Sequence, residues 1–237
     1  MTGFFLQVQN DTLTKATGAV VEGVVKNNEI SVLEFILKGG IFLIPIAILL
    51  FYTIYIIIER FMYIKKATKT DPHLMKDIRT HLNAGNIDMA ISSAERDGAA
   101  SAIVIKEGIQ TIGRPISEIE SNMEKMANIE IGEMEKKLGV LGLIAGIAPT
   151  LGFIGTISGV IKIFYSISVT ENISIGNISG GLYEKMISSG AGLIVGIIAY
   201  SAYHLYNSMI DNYSLNMQRH VLEFVNIIQR PNADKTK

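Results

Sequence analysis

Thr156, Ser189, Lys162 and Glu184 are the side chains best placed for chemistry in this 237-residue chain, because they punctuate long apolar runs. They fall in two such runs, 138–169 and 181–206, joined by a short polar segment, 170–180, so the runs read as an antiparallel hairpin. In a hairpin, residues equally far from the loop centre share a level. That sets Thr156 level with Ser189, and Lys162 level with Glu184 nearer the loop. A hydroxyl accepts a hydrogen bond from a carboxylic acid and donates one to a carboxylate. A ring of Thr156 and Ser189 is therefore suited to host a carboxyl group that gains and loses a proton. The competing arrangement has each hydroxyl bonded back to a carbonyl of its own helix. The outer level also has two readings: a Lys162–Glu184 ion pair, or a Lys162 that snorkels alone to the interface. No Asp, Glu or His lies near the middle of any apolar run, so a titrating group at depth has to be brought by another chain.

These residues need helices that cross a membrane. From Leu138 to Ile161 there are 24 residues without a charge, about 36 Å of helix at 1.5 Å per residue. Gly142, Gly146, Pro149, Gly152, Thr156 and Gly159 recur every three or four residues and stack on one face, with Gly155 beside them. Missing side chains there let neighbouring helices approach closely. The third run, uncharged from Met186 to Tyr203, opens with Ser188, Gly192 and Gly196 at the same spacing. An earlier run, Gly39 to Ile58, has 20 uncharged residues with Pro45 in its first third. The expected fold class is an all-α integral membrane protein with three transmembrane helices and long cytoplasmic helical extensions.

Composition narrows the function. Hydrophobic residues make up 49% and charged residues 18%, below the soluble average of about 25%. A net charge of −1 speaks against nucleic-acid binding. There is no cysteine, which excludes disulfides, zinc–thiolate sites and cysteine nucleophiles. There is no tryptophan, so an interfacial aromatic belt falls to Tyr and Phe. His73, His81, His204 and His220 show no ligand spacing, and no metal or cofactor is implied. An intramembrane enzyme is the weakest reading, since Ser188 and Ser189 have no general base within reach.

The segments between the runs set the topology. Residues 1–38 carry no cleavable signal pattern, and 13–25 suggest a weak amphipathic helix. Arg60, Lys65, Lys66, Lys69 and Lys76 closely follow the first span (39–59), so the positive-inside rule places 1–38 outside and 60–137 in the cytoplasm. This interval reads as helical, broken at Gly85-Asn86 and at Asp97-Gly98. Ser117 and Glu120 form a capping-box pattern, and the helix they open is expected to run unbroken into the membrane. Its glutamates read as a solvated face. At 78 residues the interval is small for an independent core, so stacking against its own copies is expected. Segment 170–180 is an external loop, and 207–237 a cytoplasmic tail in which the third helix continues.

Two stretches resemble a known family. Ala148-Pro149-Thr150-Leu151-Gly152-Phe153-Ile154-Gly155-Thr156-Ile157-Ser158-Gly159 is similar to the APLLGLLGTV-x-G signature of ExbB and TolQ, and more distantly of MotA. Glu184-Lys185-Met186-Ile187-Ser188-Ser189-Gly190-Ala191-Gly192-Leu193 is similar to that family's EALIATAIGL. Ser189 stands where the family usually has threonine, and Ile198 where many members have proline. The resemblance implies a homopentameric channel of the bacterial inner membrane. Its pore would enclose spans of an ExbD- or TolR-like partner with a mid-membrane Asp, and proton flow would work a TonB- or TolA-like protein. A non-conducting membrane scaffold and a MotA-like stator subunit are the alternatives.

Overall fold

The computed structural model describes residues 41–170 and 175–229, apart from the side chains at 170, 175, 177 and 184. The expectations for 1–38, and for the tail beyond 229, lie outside the described residues. Seven helices follow one another among the described residues: α1 Leu43–Ala67, α2 Leu74–Asn83, α3 Ile87–Asp97, α4 Ala100–Gln110, α5 Ile116–Glu135, α6 Leu138–Thr170 and α7 Ile175–Gln229. Three stretches are long and apolar enough to cross a membrane: α1, the α5–α6 run and α7. Ile44, Ile48 and Phe51 on α1 and Leu143, Phe153 and Ile161 on α6 stay exposed, as side chains facing lipid do. The fold is all-α, as the hydrophobic runs require.

Local chemistry sets most helix ends. Gly85 (φ +75°) and Gly98 (φ +65°) take the left-handed conformation that glycine adopts without a Cβ penalty, and they separate α2, α3 and α4. Asp97 steadies the second break by accepting the Ala99 amide at 3.1 Å and the Asp71 amide at 2.6 Å. At α5 the expected capping box does not form. Pro115 is the N-cap, its carbonyl takes the Glu118 and Ile119 amides, and Ser117 lies inside the first turn. Polar composition also misled at the external loop, because α7 already begins at Ile175.

The larger departure is at the entry to α6. The helix expected to run unbroken is interrupted at Lys136 and Lys137, and Lys137 has φ +65°. A non-glycine residue there is costly, and the charge cluster that holds it is described below.

Beneath the spans, α2 to α5 wrap the lower half of α7. Ile78, Ile105, Ile109, Met123 and Met134 are fully buried together with Ile210, Met217 and Phe224 of α7. A Cβ on Gly108 would stand 2.6 Å from Met123 Sδ and 2.7 Å from Phe224, so this glycine lets α4, α5 and α7 close. The interval 60–137 thus does not need another copy to complete a core. The segment that reads as a tail completes it.

Candidate functional site

The α6–α7 hairpin is built on backbone contact. Gly192 lies against the Ala148 carbonyl so closely that a Cβ would overlap the oxygen. A Cβ on Gly152 would stand 2.9 Å from both the Ser188 carbonyl and the Ser189 Cα. Pro149 has no amide to offer the Ala145 carbonyl one turn earlier. Gly196 lies beside that turn, where a Cβ would stand 3.1 Å from the carbonyl and 2.5 Å from the proline ring. Gly142 faces the Tyr203 ring at 3.6 Å, whereas Gly146 has nothing within 4 Å and is exposed. A second small cluster joins this hairpin to α1 through Ile46, Ile144, Ala148, Val195 and Ala199.

Thr156 is half-buried, and its Oγ1 donates to the Phe153 carbonyl of its own helix at 2.6 Å. Ser189 is half-buried against Gly152. Its neighbour Ser188 is 0% exposed, sits 3.0 Å from where a Cβ of Gly155 would be, and has no hydrogen-bond partner. Lys162 is exposed, and the Glu184 side chain lies outside the described residues, so their pairing does too.

Sequence reasoning missed Lys185. Its aliphatic stem lies across Gly159, with Cγ inside the space a Cβ would take and Cε 2.8 Å away. The signal was available, because the hairpin register that levels Thr156 with Ser189 also sets Gly159 opposite Lys185. A glycine facing a lysine makes a groove for its stem.

At the inner end of the spans stands a second built feature. Arg60 of α1 is 4% exposed, and its Nη1 donates to the Glu133 carbonyl at 3.0 Å. Glu133 belongs to the last turn of α5, whose carbonyls have no helical partner. Arg60 therefore caps α5 from another helix. Glu59 accepts from Arg60 Nε at 2.6 Å and pairs with Arg60 Nη2. The same carboxylate lies 3.2 Å from Lys137 Nζ, holding the residue at the left-handed break. Lys137 also lies over the Tyr55 ring, and Arg60 over Tyr63. Nearby, Tyr206 of α7 donates to the Ile57 carbonyl at 2.9 Å, tying the third span to the first. No group of His, Cys, Asp or Glu among the described residues could hold a metal ion.

Comparison with known proteins agrees with this architecture. The MotA/TolQ/ExbB proton channel family matches residues 97–219, from the end of α3 through both arms of the hairpin. A biopolymer transport protein ExbB homolog of Methanothermobacter thermautotrophicus is 27% identical over 183 residues, 77% of this chain and 65% of the relative. The Tol-Pal system protein TolQ of Haemophilus influenzae is 25% identical over 108 residues, 46% of this chain and 47% of the relative. The biopolymer transport protein ExbB of Pseudomonas putida is 26% identical over 108 residues, 46% of this chain and 31% of the relative. The matched region thus spans less than two thirds of each relative's own length. With three membrane-length helices and a family match over more than half its residues, this multi-pass membrane protein belongs to the MotA/TolQ/ExbB proton channel family.

Proposed function

We propose that this protein is the channel-forming subunit of a proton-driven motor in the bacterial inner membrane. In this reading five copies surround the single spans of an ExbD- or TolR-like partner, whose aspartate carries the proton at the Thr156 level. Proton flow then drives TonB- or TolA-dependent work at the outer membrane. The N-terminus is periplasmic and the C-terminus cytoplasmic. The pore side comprises Thr156 and Ser189, with Lys162 and Glu184 at the outer mouth.

The observation that carries the reading is the match to the proton channel family over residues 97–219; Thr156, bonded back to its own helix as the competing arrangement has it, is compatible with it. Its proton goes to the Phe153 carbonyl, which leaves the oxygen lone pairs as acceptors. A protonated partner carboxyl can donate to that oxygen without any movement of the threonine. To donate to the carboxylate instead, Thr156 must release Phe153. Loss of the partner's proton is thereby tied to the rotation of one hydroxyl.

Reconstitution in liposomes tests this. The purified protein alone should give no specific proton flux, and adding an ExbD-like partner with an aspartate at the Thr156 level should create it. Thr156→Val keeps the shape and should leave the complex assembled while flux falls at least tenfold. Robust flux without a partner refutes the division of labour. Full activity in Thr156→Val removes the hydroxyl from the mechanism, and an assembled complex without flux favours the scaffold reading.

A further inference from the structure

Below the membrane, the turn after α1, the start of α2 and the lower part of α7 enclose a cleft of about 660 Å³. That volume lies within the range of small-molecule sites, roughly 300–1,000 Å³. Lys76 and Arg79 of α2 face it from one side, and Arg219 and His220 of α7 from the other. Two acidic residues also line it, and both have other partners. Glu223 pairs with Arg79 at 3.5 Å, and Asp71 accepts the His73 amide at 2.9 Å. Lys76 and Arg219 line the cleft from different helices, Arg219 also donating to Asn216 Oδ1 at 3.4 Å, and the partial positive charge of the α2 N-terminus adds to theirs. Like charges across a cleft repel unless an anion lies between them.

The wall behind the cations is ordered by buried polar groups. The Tyr213 hydroxyl, on a residue 9% exposed, accepts the Ser101 amide at 2.9 Å. Its own proton is therefore free for Thr70 Oγ1 at 3.4 Å or for a ligand. Thr70 and Ser101 share a further hydrogen bond of 2.8 Å. His220 Nδ1 is sealed from solvent and is the only buried side-chain nitrogen without a partner among the described residues. A buried nitrogen in that state is an unmet hydrogen bond, and native proteins keep few of them. Leu74 and Met75, both buried, give the cleft an apolar floor.

We infer that this cleft binds a soluble phosphate-bearing small molecule, its phosphate between Lys76 and Arg219 and its organic part on Leu74 and Met75. Depth decides against a lipid headgroup. Thr68 lies eight residues past Arg60, and Tyr213 nine past His204, so the cleft begins about 12–14 Å below the inner edge of the spans. The headgroup layer is only about 5–8 Å thick on each side of the hydrocarbon.

The test uses the full chain in detergent, titrated by calorimetry with AMP and with inorganic phosphate at low ionic strength. AMP should bind saturably and more tightly than phosphate. Arg219→Gln and Lys76→Gln, both at exposed positions, should each weaken it at least tenfold, and Lys125→Gln on α5 should not. Binding that is absent, or that survives both cleft variants, overturns the site. Phosphate binding as tightly as AMP overturns the role of the apolar floor. A parallel arm compares phosphatidylglycerol vesicles with phosphatidylcholine vesicles. Stabilisation by phosphatidylglycerol alone, lost in Arg219→Gln, with no response to AMP, overturns the soluble ligand in favour of a headgroup.

Discussion

At Gly152 and Gly192 the α6 and α7 backbones touch with no side chain between them. Fifteen residues down α6, roughly 20 Å away, Arg60, Glu59 and Lys137 join three helices through long charged side chains. The hairpin has no slack. A carbonyl lies where a methyl would have to go, and backbone cannot step aside as the end of a side chain can. At the inner joint each contact is made by a side chain that can re-form after a displacement, and the chain itself is bent at Lys137. The two regions differ in what they permit: the hairpin keeps one register, and the joint leaves the span free to change its angle to the helical core beside it.

The sharpest way to break this contrast is Gly192→Val. Overpacking a close contact costs about 1–3 kcal/mol when neighbours can shift, and here the neighbour is the Ala148 carbonyl. The expected result is loss of the folded protein, read as failure to purify a monodisperse species. Gly146→Ala on the same helix should purify normally, because nothing lies within 4 Å of that position. Equal behaviour of the two variants would mean that the hairpin is not glycine-limited.

Next in size is Arg60→Ala. It takes Arg60 from the Glu59 carboxylate, which keeps Lys137 at 3.2 Å, and uncaps the Glu133 carbonyl, and losing hydrogen bonds made by a charged group costs about 1.5–3 kcal/mol. Thermal denaturation of the purified protein should show a clear drop. Arg60→Lys should recover only part of it, since an ammonium cannot reproduce the fork that serves Glu59 and Glu133 together. Full recovery by lysine would reduce the joint to simple charge.

The smallest effect sharpens the picture of α5. Glu130 sits on the face of Met123, Met126 and Met134, and burial, then the nearby Glu133, pushes its carboxyl above the usual carboxylate range. Its folded-state pKa exceeds the unfolded one, so its contribution to stability is fullest in acid and is lost as pH rises through the folded pKa. Glu130→Gln should therefore raise the melting temperature slightly at neutral pH, and the gain should vanish in acid. A gain that is the same at both pH values would rule out titration as its cause.

The sequence made the hairpin legible because its signals are local. Glycines at helical spacing, an absence of charge and one proline sufficed to name Gly152, Gly192 and Gly196 as packing positions, and the motif around Thr156 named the family. The joint was illegible for the opposite reason. Arg60 counted as one of the positive charges that follow the first span, and no local rule says that it caps a helix 73 residues away. Nothing about a lysine announces a left-handed conformation, so α5 and α6 read as one helix. The core suffered likewise: Met217 and Phe224 have a helix's spacing, but their partners lie on helices far earlier in the chain.

One arm of the hairpin bends and the other does not. Helix α7 runs from Ile175 to Gln229 without interruption, 55 residues or about 80 Å. Mechanically it is a shaft. A twist applied at Ser189 has no hinge to absorb it before Phe224, deep in the core formed with α2 to α5, whereas a twist applied to α6 can be taken up at Lys137. A rotation imposed at the level of Ser189 would travel along α7 as torque, and the break at Lys137 would act as the bearing that lets the rest of the chain stay behind.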